Sequence, residues 1–253
     1  MAGLAVVLAC ATGCTGDDRD GSATGAIGAT ATQVLPGSTA GNQNGNATTG
    51  NAVTGALDGR DEARLDVVSG ATAVVVRAVD LGDLLFRAST PDGSRVAPEV
   101  TADAGVVRVS LRGTGGQGGA DLMVELNSLV RWQVRLDGGA TSESVDLTGG
   151  RLAALDFGAG STRIDVTLPR PVGTVPVRMT GGATTFDLRL PTGVEAQLLF
   201  AGGAGQAVID GNSRTGIAGG TTLATPGWDT ATDRYRLDLV AGVSSLTLDR
   251  LPG

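Results

Sequence analysis

The sequence predicts a single all-β domain, a solenoid-like array of stacked strand–corner–strand repeats, and three observations support this prediction. Apolar and polar residues alternate over short stretches, which is the period of a β-strand with one buried face. Corners rich in glycine and alanine join the stretches, and 41 of the 253 residues are glycine. One register of apolar positions recurs at intervals of about 20 residues, a period typical of stacked-coil architectures.

One frame of apolar positions defines the repeat. It is clearest in residues 177–191, VRMTGGATTFDLRLP, where we take the corner residue Ala183 as position 0. Apolar residues lie at positions −6, −4, +3, +5 and +7, which are Val177, Met179, Phe186, Leu188 and Leu190. Alternate side chains of a strand point to opposite faces, so we expect these residues to point inward. One coil cannot bury such a face alone, whereas stacked coils can.

The frame fits five further segments, with anchors at Ala71, Ala140, Ala159, Ala204 and Val243. For the anchor Ala159 it places four residues inward: Ala153, Leu155, Ile164 and Val166. Between the first two anchors, apolar residues alternate outside the frame and predict degenerate coils: Val107, Val109, Leu111, Leu122, Val124 and Leu126. The repeats extend over roughly residues 65–250, which predicts one repeat domain.

The frame also predicts which charged residues meet. If the repeats anchored at 159 and 183 are adjacent and parallel, Arg163 lies beside Asp187, four positions after each anchor. Two positions later, Asp165 lies beside Arg189. Such exposed pairs contribute only about 0.2–1 kcal/mol each, so we expect them to select the register rather than to stabilise the fold.

Three segments of different composition divide the chain: a lipoprotein-type signal segment (1–14), a flexible tether rich in Gly, Ala, Thr and Asn (15–60), and the repeat β domain (61–253). The apolar run 2–9 is too short to span a bilayer and suits a signal-peptide core. The small residues before Cys14 and the polar residues after it resemble a bacterial lipoprotein signal, so we expect acylation of Cys14. Residues 7–10, ending at Cys10, are a competing match. The alternatives are a Cys10–Cys14 disulfide and plain signal residues that are discarded.

Composition excludes several function classes. The formal net charge is −7, and all 19 basic residues are arginine, because the chain has no lysine or histidine. An acidic chain without basic runs makes nucleic-acid binding unfavourable. Without histidine, lysine or a cysteine after Cys14, the usual general bases, nucleophiles and His/Cys metal sites are missing. We therefore predict no catalytic residue, no cofactor and no metal site; only carboxylates are left for chemistry.

Four aspartates fall six residues after an anchor: Asp146, Asp165, Asp210 and Asp249. They could form an outward acidic row for calcium or sugar, or an ordinary solvated face. Arg77 and Arg189 occupy the same slot in other repeats, which favours the solvated face.

Two glycine-rich strings resemble ligand-binding motifs. Residues 113–118, GTGGQG, match G-x-G-x-x-G, but a strand pattern follows where a helix is needed. Residues 202–205, GGAG, begin like a calcium-binding nonapeptide, but Gln206 stands where aspartate is needed. We interpret both strings as corners.

Three aromatic residues are candidates for contact with a partner: Trp132, Trp228 and Tyr235. Trp132 flanks a strand that enters the core, which favours packing. Trp228 lies in a polar excursion beside Pro226 and Gly227, where it either caps an open coil or presents a binding surface; we favour the cap.

Three runs carry a family resemblance: GGATTFDLRLPTGVEAQLLFAGGAGQAVIDG (181–211), GWDTATDRYRLDL (227–239) and AGVSSLTLDR (241–250). With the repeat register, they make residues 64–251 resemble the bacterial toast-rack domains. These include the C-terminal domain of LiaF-like cell-wall-active-antibiotic response proteins and the putative-adhesin domains. The resemblance implies an all-β coil at the cell envelope, with a part in envelope stress signalling or surface contact. LiaF-like proteins usually carry transmembrane helices before this domain, where this chain has the lipoprotein-type segment.

These observations predict a non-enzymatic protein, anchored outside the cytoplasmic membrane through Cys14, with an adhesin-like β domain for binding or stress response. The expected partners are the membrane, through the lipid anchor, and an envelope protein or cell-wall polymer. The alternatives are a carboxylate-dependent polysaccharide-active enzyme on a β-helix and a purely structural surface protein. A carboxylate pair in a cleft about 5–10 Å across would favour the enzyme, and a smooth face would favour binding.

Overall fold

The computed structural model describes residues 40–41 and 46–252, which contain 21 β-strands. No helix long and apolar enough to cross a membrane occurs in this described part. In chain order the strands are β1 (Ala40–Gly41), β2 (Ala47–Thr49), β3 (Ala52–Ala56), β4 (Glu62–Val67), β5 (Ala71–Val79), β6 (Leu84–Ser89), β7 (Val96–Asp103), β8 (Val106–Gly113), β9 (Asp121–Asn127), β10 (Arg131–Leu136), β11 (Ala140–Asp146), β12 (Arg151–Phe157), β13 (Ser161–Thr167), β14 (Thr174–Met179), β15 (Ala183–Leu190), β16 (Glu195–Phe200), β17 (Ala204–Ile209), β18 (Asn212–Ile217), β19 (Thr221–Ala224), β20 (Arg234–Leu239) and β21 (Val243–Arg250).

The described strands form two sheets, which we call the long sheet and the short sheet. The long sheet has twelve strands in the order β1-β2-β3-β6-β9-β5-β11-β13-β15-β21-β17-β18. The short sheet has nine strands in the order β19-β16-β20-β14-β12-β10-β4-β8-β7. The predicted all-β, solenoid-like array is confirmed.

Seven coils, each a strand of the short sheet followed by one of the long sheet, build the array: β4–β5, β8–β9, β10–β11, β12–β13, β14–β15, β16–β17 and β20–β21. All six predicted repeats are among them. The seventh, β8–β9, contains the alternating residues that predicted a degenerate coil. Neighbouring coils pair in parallel through both strands.

The order of the coils in space differs from their order in the chain at both ends of the stack. The coil β8–β9 lies outside β4–β5, and the last coil, β20–β21, lies between β14–β15 and β16–β17. Antiparallel strands cover each end: β6 and β7 pair with β9 and β8, while β18 and β19 pair with β17 and β16. The repeat register alone does not reveal this exchange.

The inward positions of both sheets form one hydrophobic cluster. Phe157 of the short sheet and Phe186 of the long sheet meet edge to face in this core, with ring centroids 5.8 Å apart. Leu188, at position +5, is 1% exposed. At the corners, stacked backbones leave no room for side chains: a Cβ added to Gly181 would lie 2.1 Å from the carbonyl carbon of Ala159. The corner glycine is therefore required by close approach.

The predicted frame is wrong by two residues in the coil β12–β13. Ser161, not Ala159, lies opposite Ala183 and Ala140, and Leu155 pairs with Val177. The anchors at 140, 161, 183 and 204 are thus 21, 22 and 21 residues apart. A shift of two preserves which face each side chain occupies, so alternation could not expose the error. Of the four residues placed inward here, only Ala153 fails, because a bulge precedes Ala154.

The two charge pairs predicted between these coils change accordingly. Arg163 lies opposite Thr185, and Asp165 lies opposite Asp187. The Arg163 guanidinium still reaches Asp187 diagonally at 3.0 Å and binds Asp165 at 2.7 Å. The prediction of the second pair, Asp165–Arg189, was wrong. Arg189 lies opposite Thr167 and Asp249, and no ion pair joins it to Asp165 in the described structure.

A row of alternating charges runs along the outer face of the short sheet, at position −5. In stack order its members are Arg108, Asp66, Arg135, Asp156, Arg178 and Asp238. The ends of this row form ion pairs, with Arg108 3.8 Å from Asp66 and Arg178 3.7 Å from Asp238. Burial raises the pKa of Asp156, while Arg135 and Arg178 on either side act in the opposite direction. The charges thus alternate in sign over six neighbouring strands, from β8 to β20.

The ordered β structure begins before residue 61. Strands β2 and β3 lie within the segment 15–60 that composition predicted to be a tether, and β3 pairs with β6 in the long sheet. Val53 of β3 is only 4% exposed and joins the hydrophobic cluster. A short strand with one buried valine needs partners from the folded domain, which composition does not reveal.

Replacing Leu188 with aspartate should unfold the array, because a buried carboxylate without a partner costs several kcal/mol. Replacing its neighbour Asp187 with serine removes only the exposed ion pair to Arg163 and should cost under about 1 kcal/mol. Thermal melting of the two variants beside the parent checks this. Melting shifts of equal size would show that Leu188 is not an inward residue.

Candidate functional site

The predicted acylation site, Cys14, and its competitor Cys10 lie outside the described residues. Three of the four predicted acidic residues, Asp146, Asp210 and Asp249, share one outward row at position +6. Asp165 belongs to the row at position +4, because of the two-residue error in its coil. Arg77 and Arg189 interrupt the +6 row, as expected for a solvated face. Residues 46–252 contain no cluster of three or more acidic or other potential metal ligands.

Both glycine-rich strings form connections between strands. Residues 113–118 lead from β8 towards β9, and a Cβ on Gly116 would lie 2.5 Å from the Ser94 carbonyl oxygen. Residues 202–205 form the corner that enters β17. The interpretation of both as corners is confirmed.

Two of the three candidate aromatics are unavailable to a partner. Trp132 is 1% exposed and its indole N–H donates to the Asn127 carbonyl at 3.0 Å, which confirms its packing role. Tyr235 is fully buried, its hydroxyl donates to the Pro169 carbonyl at 2.8 Å, and burial raises its pKa. The half-buried Trp228 lies in the turn after β19, where the Arg234 guanidinium stacks 4.2 Å from its ring centroid. The end of the array is covered by β18 and β19 instead.

Glu143 is a buried carboxylate that the sequence interpretation missed. It occupies position +3 of its coil, between Val74 and Ile164 of the neighbouring coils, and is 1% exposed. Its Oε2 atom has no hydrogen-bond partner. Burial raises the pKa of Glu143 to about 7, and a hydrogen bond with Ser161 acts in the opposite direction. The frame could have found it, since position +3 is an inward position.

Acidic side chains also line a concavity of about 530 Å³ near the C-terminal end of the array. Its three carboxylates belong to Glu195, Asp210 and Asp249. Asp210 binds Arg250 at 2.7 Å, and Glu195 accepts hydrogen bonds from Thr225 and from the Gly227 amide. Two of the three carboxylates are thus already engaged, so the concavity holds no pair of free carboxylates for acid–base chemistry.

Three arginines line a second concavity, of about 360 Å³, at the edge where the chain returns from the long sheet to the short sheet. They are Arg131 at the start of β10, Arg151 at the start of β12, and Arg170 in the turn before β14. Leu152 and Val172 contribute apolar surface. We call this concavity the arginine site. No sequence motif marks this site, because the three arginines are about 20 residues apart in the chain.

No protein-family model matches the chain, and comparison with curated protein sequences finds no match. Among solved structures, a putative cell adhesion protein from Clostridium sporogenes ATCC 15579 is similar over 79% of this chain and 98% of its own, with a TM-score of 0.58 and 13% sequence identity. At that identity the likeness shows the fold alone. A putative adhesin from Bacteroides fragilis NCTC 9343 aligns with 79% of this chain and 97% of its own, at 9% identity and a TM-score of 0.26, too low to support an argument.

Glu143 should make stability fall as pH rises. The carboxyl titrates near pH 4.5 when exposed and near pH 7 when folded, so the folded state holds the extra proton between these values. The stabilisation that this proton provides is therefore complete below pH 4.5, declines between pH 4.5 and pH 7, and is lost above about pH 7. The total loss is about 3 kcal/mol.

Urea unfolding of the parent and Glu143→Gln at pH 4 and pH 8 measures this contribution. Glutamine cannot ionise, so between pH 4 and pH 8 the free energy of unfolding of this variant should fall by about 3 kcal/mol less than that of the parent. Glu99→Gln, at an exposed position of β7, is the control and should keep the parental pH dependence. Identical pH dependence in the parent and Glu143→Gln would contradict the assignment.

Proposed function

We propose that this protein is a non-enzymatic binding protein of the cell envelope, held outside the cytoplasmic membrane through acylated Cys14. One observation supports the binding role best: the described strands form two extended sheet faces, of nine and twelve strands. The nine strands of the short sheet alone would extend over about 40 Å. A rigid face of that length suits contact with a large partner.

The pairing of acidic groups supports binding over polysaccharide cleavage. Asp165 and Asp187 are direct neighbours, as a carboxylate pair would be, but they lie on an open sheet face and share the guanidinium of Arg163. A glycosidase needs one protonated and one ionised carboxyl group on opposite sides of a bound sugar. The adhesion role given to the Clostridium sporogenes protein of similar fold agrees with a binding function.

An assay of binding to isolated cell envelopes, combined with an assay for cleavage of their polysaccharides, tests this function directly. Purified protein carrying Cys14→Ser should sediment with isolated cell envelopes and release no reducing sugar ends from them. Release of reducing ends that is abolished by Glu195→Gln or Asp249→Asn would replace the binding role with an enzymatic one. Failure to sediment with envelopes would also contradict the proposal.

Cys14→Ser should move the protein from the membrane fraction to the soluble fraction, because no acyl group can then be attached. Cys10→Ser is the matched control and should leave the protein in the membrane fraction, with signal processing still blocked by globomycin. Unchanged membrane association when both cysteines are replaced would refute anchoring by a lipidated cysteine.

A further inference from the structure

The arginine site places two like charges side by side. Arg131 and Arg151 are direct partners in the parallel pairing of β10 with β12. Like charges in that position destabilise a sheet. Further along the same two strands, Arg135 faces Asp156, so opposite charges do meet between β10 and β12. The Arg131–Arg151 pair is an exception to the charge pattern of its own sheet.

The guanidinium groups of the arginine site are only weakly neutralised. Arg131 is 3.5 Å from Glu62, whose side chain is 72% exposed. Arg170 donates to the Thr192 carbonyl at 3.2 Å, which orients its guanidinium but leaves the charge uncompensated. Arg151 is exposed and forms no ion pair or side-chain hydrogen bond with the residues described. The three guanidinium groups outnumber the two carboxylates that line the same concavity, Asp61 and Glu62, so a positive charge remains there for an anion.

Apolar surface accompanies these charges. Val172, which lines the same concavity, is 78% exposed, the highest value among the large hydrophobic residues exposed in the described structure. Leu152 lines the same concavity and is 4% exposed. A ligand with an anionic group and a carbon backbone would cover Val172 while it binds the arginines.

We propose that the arginine site binds a phosphate group of an anionic envelope polymer. A phosphate presents more acceptor oxygens than a carboxylate, so it can engage several planar guanidinium forks at once. The inference rests on the proposed binding function and names the ligand class for it.

A polymer suits this site better than a membrane surface. The arginines line a concavity, which a chain with protruding phosphates can enter and a flat layer of headgroups cannot. Asp61 and Glu62 lie on the same concavity, and the protein has a formal net charge of −7. The two carboxylates offset two of the three arginines, so a positive charge remains inside the concavity to attract the phosphate that enters it.

Short-chain polyphosphate is the probe, titrated into the full chain carrying Cys14→Ser and followed by calorimetry at low ionic strength. We expect saturable binding that weakens with added salt, and a loss of about tenfold in affinity for Arg151→Gln. Arg151→Lys should bind with intermediate affinity, because it keeps the charge and loses the fork. The control Arg236→Gln removes the same charge from an exposed position of β20 and should change the affinity less than about threefold.

Three results would overturn the assignment: equal losses for Arg151→Gln and Arg236→Gln, equally tight binding of polygalacturonate, or binding to phosphatidylglycerol vesicles without binding to polyphosphate. Melting temperatures of the variants verify that each is folded. Since the experiment contains no envelopes, the site can fail while envelope binding stands, and envelope binding can fail while the site stands.

Discussion

The array depends on the parallel, in-register stacking of its coils. Strands about 4.8 Å apart bring the same frame position of successive coils into one row. Neighbouring residues within a row must therefore be compatible with one another. Inward rows hold apolar side chains, corner rows hold glycine where a Cβ does not fit, and outward rows place opposite charges side by side. Glu143 in an apolar row and two like-charged pairs in outward rows, Asp165–Asp187 and Arg131–Arg151, depart from this rule. Asp165 and Asp187 share the guanidinium of Arg163. Stacking alone does not explain these residues, and the arginines are where we place the ligand.

The outward charges agree with the exchange of coils at both ends. Stacked in chain order, Arg108 would lie beside Arg135, and Arg178 beside Leu199. In the observed order Asp66 separates the first two arginines, and Asp238 lies beside Arg178. Each such pair contributes only about 0.2–1 kcal/mol. The apolar core would be similar in either order, so these pairs favour the observed order over stacking in chain order. The antiparallel strands outside the exchanged coils then cover both ends of the core.

Alternation in the sequence was sufficient to predict the all-β class, the strand–corner–strand coil and the inward face of residues such as Leu188. It could not fix the register of β12–β13, since a period of two is unchanged by a two-residue shift and a bulge interrupts β12. Glu143 was within reach of the frame, whereas the arginine site was not. The pairing of Arg131 with Arg151 depends on the correct register, and Arg170 joins them through a turn whose path the pattern does not specify.

Disulfide cross-linking tests the order of the coils most directly, in a chain carrying Cys10→Ser and Cys14→Ser. Thr185 lies opposite Ser245, and Ser245 opposite Gln206, so Thr185 and Gln206 are two strands and about 10 Å apart. A disulfide requires Cα atoms within about 7 Å. The variant Thr185→Cys/Ser245→Cys should therefore oxidise to an intramolecular disulfide, and Thr185→Cys/Gln206→Cys should not. The reverse result would show that the coils stack in chain order and would contradict the account.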